Sequence, residues 1–278
     1  MILVTAAGGR TGRSVVRALR NRGQSVRALV RRPQPALKDL GVTEEFVGDL
    51  LDAGALRRAC EGVSVVIHTG PASSDESVMG KWMIDAARDA GVGHFVYHSV
   101  THPQIEWLPQ HRQKLLVENH LIDSGLAFTI LQPMHYFQNI DVNRAVQSGV
   151  YLSPYSPALP LSGVDLEDLA QVSALVAGDA AHHYATYEIS GSDYFNTAHI
   201  AELLSARSGK PVRNQQISVA DFVAQRAKAE RGYFADLFTR LMIYYNRYGI
   251  RGNPNILTWL LGRPPTTLAQ YVDRVLAA

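Results

Sequence analysis

The first half of the 278-residue chain alternates short apolar runs with helix-length amphipathic segments. This alternation is typical of βαβ units, in which a helix connects two parallel strands of one sheet. A glycine directly follows each predicted helix, at the position where a left-handed residue commonly ends a helix. The pattern predicts strands over residues 2–5, 25–30, 45–47, 63–68, 94–99 and 126–131, and helices over residues 11–22, 53–61, 76–90 and 111–124.

The second half follows a looser pattern, and three prolines within residues 151–163 predict an irregular connection there. Helices are predicted over residues 165–178, 197–208 and most of the chain after residue 217, including an aromatic-rich segment over 233–248, and strands over 184–190 and 211–217.

These elements predict an α/β fold with two regions. A doubly wound parallel sheet of the Rossmann type is expected over residues 1–150. A smaller, mainly helical region over residues 151–278 is expected to pack closely on this core and to contribute to substrate binding.

Composition excludes several classes of protein. The 27 Lys and Arg against 25 Asp and Glu give a formal net charge of +2, which argues against a histone-like nucleic-acid binder. The lone Cys60 excludes a disulfide scaffold and a cysteine zinc cluster. The histidines show no metal-binding spacing, and neither a signal-peptide pattern nor an apolar run of ~18 residues is present. We expect a soluble cytoplasmic protein, a monomer or homodimer, without metal, membrane or direct nucleic-acid contact.

Basic residues are concentrated at the start of the chain, where nine of them precede the first acid, Asp39. Three of the nine share one face of the first predicted helix and are expected to be solvated there, namely Arg13, Arg17 and Arg20. The concentration indicates that the N-terminal segment binds an anion. The nine are Arg10, Arg13, Arg17, Arg20, Arg22, Arg27, Arg31, Arg32 and Lys38.

The first predicted strand runs directly into a glycine-containing loop and then a helix, which is the context that a dinucleotide-binding fingerprint requires. Gly9 would allow close approach of a phosphate, Gly12 would pack the helix on the strand, and Gly8 would relax the turn. The alternative is a simple tight turn. The residues predicted to hold the phosphates are Ala7, Gly8, Gly9, Arg10, Thr11 and Gly12.

The end of the second predicted strand indicates which dinucleotide is bound. An acid at this place would select NAD through the ribose 2′-hydroxyl, but Arg31 and Arg32 stand there instead. A guanidinium can bond two oxygens of a 2′-phosphate at once. The sequence therefore predicts NADP(H) as the cofactor.

Residues after the third and fourth predicted strands complete the candidate cofactor site. Asp49 and Leu50 are predicted to contact the adenine, with capping of the following helix by Asp49 as an equal alternative. Thr69 and Gly70 are predicted to approach the nicotinamide-side ribose and phosphate, because small residues let the backbone come close.

Several short motifs, in this order, resemble the NmrA-like family of atypical short-chain dehydrogenases/reductases. The resemblance covers nearly the whole chain. It implies a Rossmann core, a preference for NADP, and either reduction of small carbonyl or quinone-type substrates or a non-catalytic redox-sensing role. The motifs are the loop over residues 5–12, residues 29–33 and 48–50, Lys114 with Glu118, and residues 124–133, 137–139 and 262–268.

The chain departs from that family pattern at two positions. The first glycine of the loop is Ala6 here, which narrows the turn. Gln110 stands four residues before Lys114, where the wider superfamily has its catalytic tyrosine, and an amide cannot donate a proton as tyrosine does. The retained Lys114 is expected to bond the nicotinamide ribose and to stabilise negative charge at the substrate oxygen. Pro133 is also expected to contact the cofactor.

Polar residues near Lys114 are candidates for the proton chemistry. Ser99 ends the fifth predicted strand, where open α/β sheets present polar groups to a ligand. His98, His102 and His111 could each replace the tyrosine as the acid, since imidazole titrates near neutral pH, although strand alternation places His98 and Ser99 on opposite faces. The candidate catalytic residues are Lys114, Ser99 and His111.

The sequence indicates the substrate-binding residues less clearly than the cofactor-binding ones. The resemblance implies that Tyr136 and Asn139 line the substrate pocket, and the alternative is a loop that packs on the sheet edge. Six aromatic residues near the C-terminus could cover an aromatic or polyketide-like substrate, although helical spacing among them favours core packing. They are Tyr233, Phe234, Phe238, Tyr244, Tyr245 and Tyr248.

Three functions remain open at this point. The favoured one is an NADPH-dependent reductase of a small ketone, enone or quinone-type substrate, with Lys114 as the electrostatic catalyst. The second is a non-catalytic NADP(H)-binding redox sensor that acts through a protein partner, which the missing tyrosine would permit. The third is a cyclase or isomerase without net redox change. Retention of Lys114 and Ser99 favours the reductase.

Overall fold

The computed structural model describes residues 1–226 and 232–278. Within them the strands are β1 (Ile2–Val4), β2 (Val26–Val30), β3 (Glu44–Val47), β4 (Val65–His68), β5 (His94–His98), β6 (Phe128–Pro133), β7 (His135–Tyr136), β8 (Val150–Ser153), β9 (Leu161–Val164), β10 (Ala185–Ile189), β11 (Tyr194–Phe195) and β12 (Arg213–Gln216). The α-helices are α1 (Arg10–Asn21), α2 (Pro35–Asp39), α3 (Ala53–Cys60), α4 (Glu76–Asp89), α5 (Pro109–Asp123), α6 (Val142–Ser148), α7 (Leu166–Val176), α8 (Thr197–Ser208), α9 (Val219–Arg226), α10 (Tyr233–Tyr248), α11 (Asn255–Leu261) and α12 (Leu268–Leu276).

The main sheet of the described chain has the strand order β10-β6-β5-β4-β1-β2-β3. The pairings among β1 to β6 are parallel. The order changes direction between β1 and β4, so the carboxyl ends of these strands flank the switch point at which open α/β sheets bind ligands. All six strands predicted for the first half are present, and the doubly wound α/β fold is confirmed.

The strand sequences explain why this sheet is buried on both faces. All three residues of β1 and all five of β5 are buried, as expected for parallel strands covered by helices. Helix α1 packs on α7, and α3 packs on α4. On α1, Ser14 donates a hydrogen bond to Glu167 of α7, and the half-exposed Arg17 pairs with the same carboxylate. On the face of α1 that was expected to be solvated, Arg17 therefore forms an ion pair.

The chain forms two compact units. Unit 1 consists of Met1–Glu106, Gln110–Pro133 and Leu166–Glu188, and unit 2 of Trp107–Pro109, Met134–Asp165 and Ile189–Ala278. This division differs from the predicted regions 1–150 and 151–278, because α7 and most of β10 return to unit 1. The return places β10 beside β6, where it covers a strand edge that would otherwise expose unpaired backbone groups.

Unit 2 contains two small sheets, with the orders β11-β9-β7 and β12-β8. The irregular connection predicted over residues 151–163 is wrong at both ends, since β8 and β9 lie there and the three prolines fall between them. Strand β8 pairs with β12, and β9 with β11 and β7. These pairings join segments far apart in sequence, which local patterns do not encode. The helices predicted over residues 197–208 and 233–248 coincide with α8 and α10.

Among the helices described, none is long and apolar enough to cross a membrane.

Candidate functional site

The loop between β1 and α1 brings the helix very close to the strand. A Cβ atom at Gly12 would lie 2.5 Å from the carbonyl oxygen of Ala6 and 2.7 Å from Cα of Ala7, so a side chain there would push α1 off the strand. A Cβ atom at Gly8 would lie 2.9 Å from Cγ of Gln34. Gly12 thus occupies the helix-packing position expected from the sequence.

Ala6 adopts a backbone conformation that suits glycine better. Its φ is +47°, in the left-handed region, and its carbonyl accepts a hydrogen bond from the backbone N–H of Gly9 at 2.9 Å. A residue with a Cβ atom is disfavoured there by about 1 kcal/mol. Ala6 therefore holds a turn that glycine would adopt without this cost.

The amino end of α1 is available for an anion. Gly9 is the N-cap residue and has no side chain to cap the helix, and the first turn contains no acid. Gly9 and Arg10 are exposed, Thr11 is half-buried and Ala7 is buried. The N–H groups of a first helical turn have no acceptor within the helix, and together with the dipole of this 12-residue helix they favour a phosphate at this end.

Two cations stand at the same edge of the sheet. Strand β2 ends at Val30, and Arg31 and Arg32 follow it as exposed residues. Because β1 and β2 are parallel neighbours, the arginines and the glycine loop lie at adjacent carboxyl ends. The backbone N–H of Gln34 donates to Glu45 at 3.2 Å and fixes the chain just beyond the arginines. The arrangement can hold a phosphate monoester.

Asp49 does not cap the helix that follows it. One of its carboxylate oxygens accepts from the backbone N–H of Leu51 at 2.9 Å, whereas Asp52 caps α3 by accepting from Ala55 at 3.0 Å. The capping alternative for Asp49 is therefore wrong. Asp49 is exposed and Leu50 is buried, and their contact with adenine stays a prediction.

The turn after β4 is tied to β1 and lies on buried polar groups. Thr69 Oγ1 donates to the carbonyl of Thr5 at 2.8 Å, and the backbone N–H of Thr69 donates to Thr5 Oγ1 at 3.0 Å. Thr5 Oγ1 also hydrogen-bonds His68 Nδ1 at 2.9 Å. A Cβ atom at Gly70 would lie 3.2 Å from His68 Nε2 and 3.6 Å from Glu76 Oε1. The missing side chain lets the turn approach both groups.

Lys114, on α5, is a buried cation with an acidic partner. Its side chain is 6% exposed and that of Glu76 is 1% exposed, and Nζ lies 2.5 Å from Glu76 Oε1. Nζ also donates to the carbonyl of His98 at 2.8 Å and lies 5.2 Å from the centre of the Tyr97 ring. Burial raises the pKa of Glu76, and Lys114 lowers it. An ammonium has three N–H groups, and the carbonyl of His98 accepts one of them.

Ser99 is buried directly after β5, on the side of α5. Burial raises the pKa of Glu118 on that helix, and the nearby Ser99 hydroxyl and Gln132 amide lower it. Gln132 Nε2 donates to Glu118 at 2.9 Å. Ser99 therefore lies near this carboxylate, although its hydroxyl oxygen has no hydrogen-bond partner within the described part of the chain.

Two of the three candidate histidines, His98 and His111, are buried in different environments. His98 Nε2 lies 2.8 Å from Ser173 Oγ of α7, on the face opposite Ser99, and burial lowers the pKa of His98 to about 3. His111 Nδ1 lies 2.9 Å from the carbonyl of His102; because a carbonyl only accepts, Nδ1 carries the proton and Nε2 is an acceptor. Burial also lowers the pKa of His111. His98 and His111 are therefore neutral groups, which are poorly suited to donate a proton.

Pro133 ends β6, and its carbonyl accepts a hydrogen bond from the backbone N–H of Thr101 at 3.1 Å.

The two residues predicted to contact substrate belong to unit 2. Tyr136 is half-buried in β7, and Asn139 is exposed at the end of a short 3₁₀ helix.

The six C-terminal aromatic residues lie on α10, but its buried residues are Leu237 and Met242. Phe234, Phe238 and Tyr245, whose spacing favoured packing, are half-buried. Phe238 contacts Phe222 of α9, and Tyr245 contacts Tyr155, so the spacing is partly reflected in packing against other segments. The aromatic residues also contact one another along the helix. Ring centres are 6.2 Å apart for Phe234 and Phe238, and 4.8 Å apart for Tyr244 and Tyr248.

Sequence reasoning missed three buried polar residues at the carboxyl ends of β4 and β5. Within the described part of the chain, His68 Nε2, both carboxylate oxygens of Glu76 and Tyr97 Oη have no hydrogen-bond partner, and Glu76 is held by its ion pair with Lys114. The available signal was position, since His68 ends a predicted strand and Glu76 begins the next predicted helix at the same sheet edge. Strand alternation alone gave no reason to direct Tyr97 toward Lys114.

The chain is similar to known proteins along nearly its whole length. The model of the NmrA-like family matches residues 1–246. Quinone oxidoreductase 2 of Escherichia coli is 28% identical over 99% of this chain and 98% of that protein. The NAD(P)H azoreductase of Xenophilus azovorans is 29% identical over 100% of this chain and 99% of that protein.

Solved structures agree with these similarities. The Escherichia coli NADPH-dependent quinone oxidoreductase complexed with NADPH matches with a TM-score of 0.86 at 27% identity, covering 99% of this chain and 100% of that one. The Citrobacter sp. triphenylmethane reductase complexed with NADP(H) also has a TM-score of 0.86, covering 99% of each chain. Its identity of 24% supports a shared fold.

Proposed function

The chain belongs to the NmrA-like family, and from that premise we propose that it uses NADPH to reduce a quinone-type or dye-type aromatic substrate. The observation that carries the proposal is full-length similarity to two reductases, one named for quinones and one for azo compounds. At the broader level, the chain is an NAD(P)H-dependent oxidoreductase with NADP(H) as its cofactor.

The residues at the carboxyl ends of β1, β2 and β4 fit a dinucleotide phosphate. The close packing at Gly12 and the uncapped end of α1 suit the pyrophosphate. Arg31 and Arg32 suit the 2′-phosphate. When bound, NADPH supplies a hydride, and the protein must hold the substrate and stabilise the charge that develops. The other residues we assign to the cofactor are Ala7, Gly8, Gly9, Arg10, Thr11, Asp49, Leu50, Thr69, Gly70, Lys114 and Pro133.

We assign charge stabilisation at the substrate oxygen to Lys114. Glu76 and the carbonyl of His98 hold its ammonium in place, and a donor that is already oriented stabilises developing charge without reorganisation. Gln110 cannot supply a proton, and His111 already donates its Nδ1 proton to a carbonyl. Neither residue therefore replaces the missing tyrosine.

Other parts of the proposal rest on the sequence. Tyr136 and Asn139 are proposed to contact the substrate, and Ser99 to support the reacting edge through Glu118. The single cysteine makes the cytoplasm the expected location.

Turnover of NADPH tests the proposal. Purified protein is mixed with NADPH and, without oxygen, with a panel of quinones, azo dyes, enones and simple ketones, and loss of the reduced nicotinamide absorbance is followed. We expect turnover with quinones or azo dyes and slower turnover with simple ketones. Tight NADPH binding without oxidation by any panel member would refute the reductase and favour the redox sensor.

A further inference from the structure

Glu76 is a buried acid to which the proposed function assigns no task of its own. It is the first residue of α4, and the preceding N-cap residue, Asp75, makes no side-chain capping bond. A buried carboxylate is costly unless its charge is compensated. The amino end of α4 and the ammonium of Lys114 both compensate it. The carboxylate is therefore held by the lysine that we place at the reacting edge.

Among the ionisable groups described around Lys114, Glu76 forms the ion pair, and Glu118 interacts with the ammonium without contacting it in an ion pair. Burial lowers the pKa of two neighbouring histidines to about 3 and raises the pKa of a buried tyrosine. A second carboxylate, on the same helix as Lys114, accepts a hydrogen bond from an amide, and the charge of Lys114 lowers its pKa. These groups are His68 on β4, His98 and Tyr97 on β5, and Glu118 on α5. Direct compensation of the ammonium falls to Glu76.

The ion pair lies under the turn that we assign to the nicotinamide side of the cofactor. A Cβ atom at Gly70 would be 3.6 Å from Glu76 Oε1, so the backbone of the turn lies against the carboxylate. The carbonyl of His98 accepts a hydrogen bond from Lys114 Nζ, and Glu76 Oε1 lies 2.5 Å from the same nitrogen as its ion-pair partner. These two contacts hold the ammonium beside the carboxyl ends of β4 and β5.

We propose that Glu76 is a positioning residue, whose carboxylate keeps the ammonium of Lys114 charged and aimed at the carboxyl edge of β4 and β5. This role rests on the proposed function, because Lys114 acts on a substrate only if the chain is a reductase. Glu76 acts through Lys114 and does not itself contact the substrate.

The test begins with Glu76→Gln, which keeps the size of the side chain and removes its charge. We expect kcat to fall at least about tenfold while the Kd of NADPH changes less than about threefold. The alkaline limb of the kcat–pH profile should move at least about one unit toward neutral pH, because a buried ammonium without its counter-ion loses its proton more easily. Glu76→Asp keeps the charge, so the alkaline limb of its kcat–pH profile should lie at the wild-type position.

A double-mutant cycle separates positioning from a purely structural role. The variant Lys114→Met is compared with the double variant Glu76→Gln/Lys114→Met. Because the double variant has neither charge of the pair, it is expected to fold even if Glu76→Gln does not. The effect of Glu76→Gln on kcat should be lost in the Lys114→Met background. An equal loss of kcat in both backgrounds, or a wild-type pH profile in Glu76→Gln, would overturn the proposal.

A chemical readout keeps this test separate from the reductase assignment. Reductive methylation of Lys114, followed by mass spectrometry of the peptide, should be faster in Glu76→Gln than in the wild type, because more of the amine is uncharged. This measurement needs no turnover. Absence of NADPH oxidation would therefore refute the proposed function alone, whereas equal methylation rates would refute the positioning role.

Discussion

Replacing Gly12 by alanine tests the loop to which we assign the cofactor phosphates. The new Cβ atom would lie 2.5 Å from the carbonyl oxygen of Ala6 and 2.7 Å from Cα of Ala7, whereas ordinary contacts begin at 3.4 Å. Both atoms belong to the backbone, so α1 must move by about 0.9 Å, the difference between 3.4 and 2.5 Å. Overpacking of this kind costs about 1–3 kcal/mol, which lowers Tm by roughly 2–10 °C in a chain of this size.

The same displacement moves the N–H groups at the start of α1 away from the pyrophosphate. We therefore expect the Kd of NADPH to rise at least about tenfold, or about 1.4 kcal/mol. Fluorescence titration with NADPH and thermal unfolding measure the two effects.

Two other glycine-to-alanine variants serve as matched controls. Gly8→Ala meets Cγ of Gln34 at 2.9 Å, and this side chain can turn away, so its effect should be smaller. Gly93→Ala meets its nearest neighbour, the carbonyl oxygen of Ser64, at an ordinary 3.5 Å and should behave as the wild type. If Gly12→Ala binds NADPH as tightly as Gly93→Ala does, the loop does not hold the phosphates as we describe.

Two further predictions concern stability. Ala6→Gly should raise the free energy of unfolding by about 1 kcal/mol, because glycine adopts a positive φ without strain; urea denaturation measures this, and a loss of stability would contradict it. Below pH 6.5 the unfolded chain protonates its histidines, whereas burial holds the pKa of folded His68 and His98 at about 3, so acid should destabilise the protein. Each of the two should account for about 1 kcal/mol lost by pH 5.5. His98→Asn should flatten the dependence of the free energy of unfolding on pH. His102→Asn is the control and should leave it unchanged; His102 is partly exposed, and asparagine tolerates its positive φ. An unchanged slope in His98→Asn would show that buried neutral histidines do not cause the dependence.

The nucleotide-binding half could be predicted because its signals are local. Each βαβ unit combines an apolar run, an amphipathic helix and a terminal glycine within a few tens of residues, and β1 to β6 follow that pattern. Gly12 and the arginine pair are recognised by their distance from strand ends, which tertiary structure does not alter. Even here Asp49 was ambiguous, since Asp49 and Asp52 are both suitable caps and only the geometry selects Asp52.

The rest depends on contacts between distant segments. Glu76 and Lys114 meet although 38 residues separate them, the difference between their numbers, and nothing in either helix sequence names the other as its partner. The pairing of β8 with β12 likewise joins residues about 60 positions apart. Aromatic spacing on α10 favoured packing, but Leu237 and Met242 are the fully buried residues there, and Phe238 and Tyr245 are half-buried against Phe222 and Tyr155. Such outcomes are decided by which faces meet in the folded chain.

The most direct test is the rate of quinone reduction with NADPH and with NADH, measured for the wild type and for the double variant Arg31→Ala/Arg32→Ala. Both arginines are exposed, so their removal should leave the fold intact. We predict that the wild type favours NADPH in kcat/KM by at least about tenfold, since hydrogen bonds to a charged group contribute about 1.5–3 kcal/mol. The variant should lose most of its rate with NADPH and keep its rate with NADH. An equal loss with both cofactors, or no quinone reduction by the wild type with either, would contradict an NADPH-dependent reductase that reads the 2′-phosphate through these arginines.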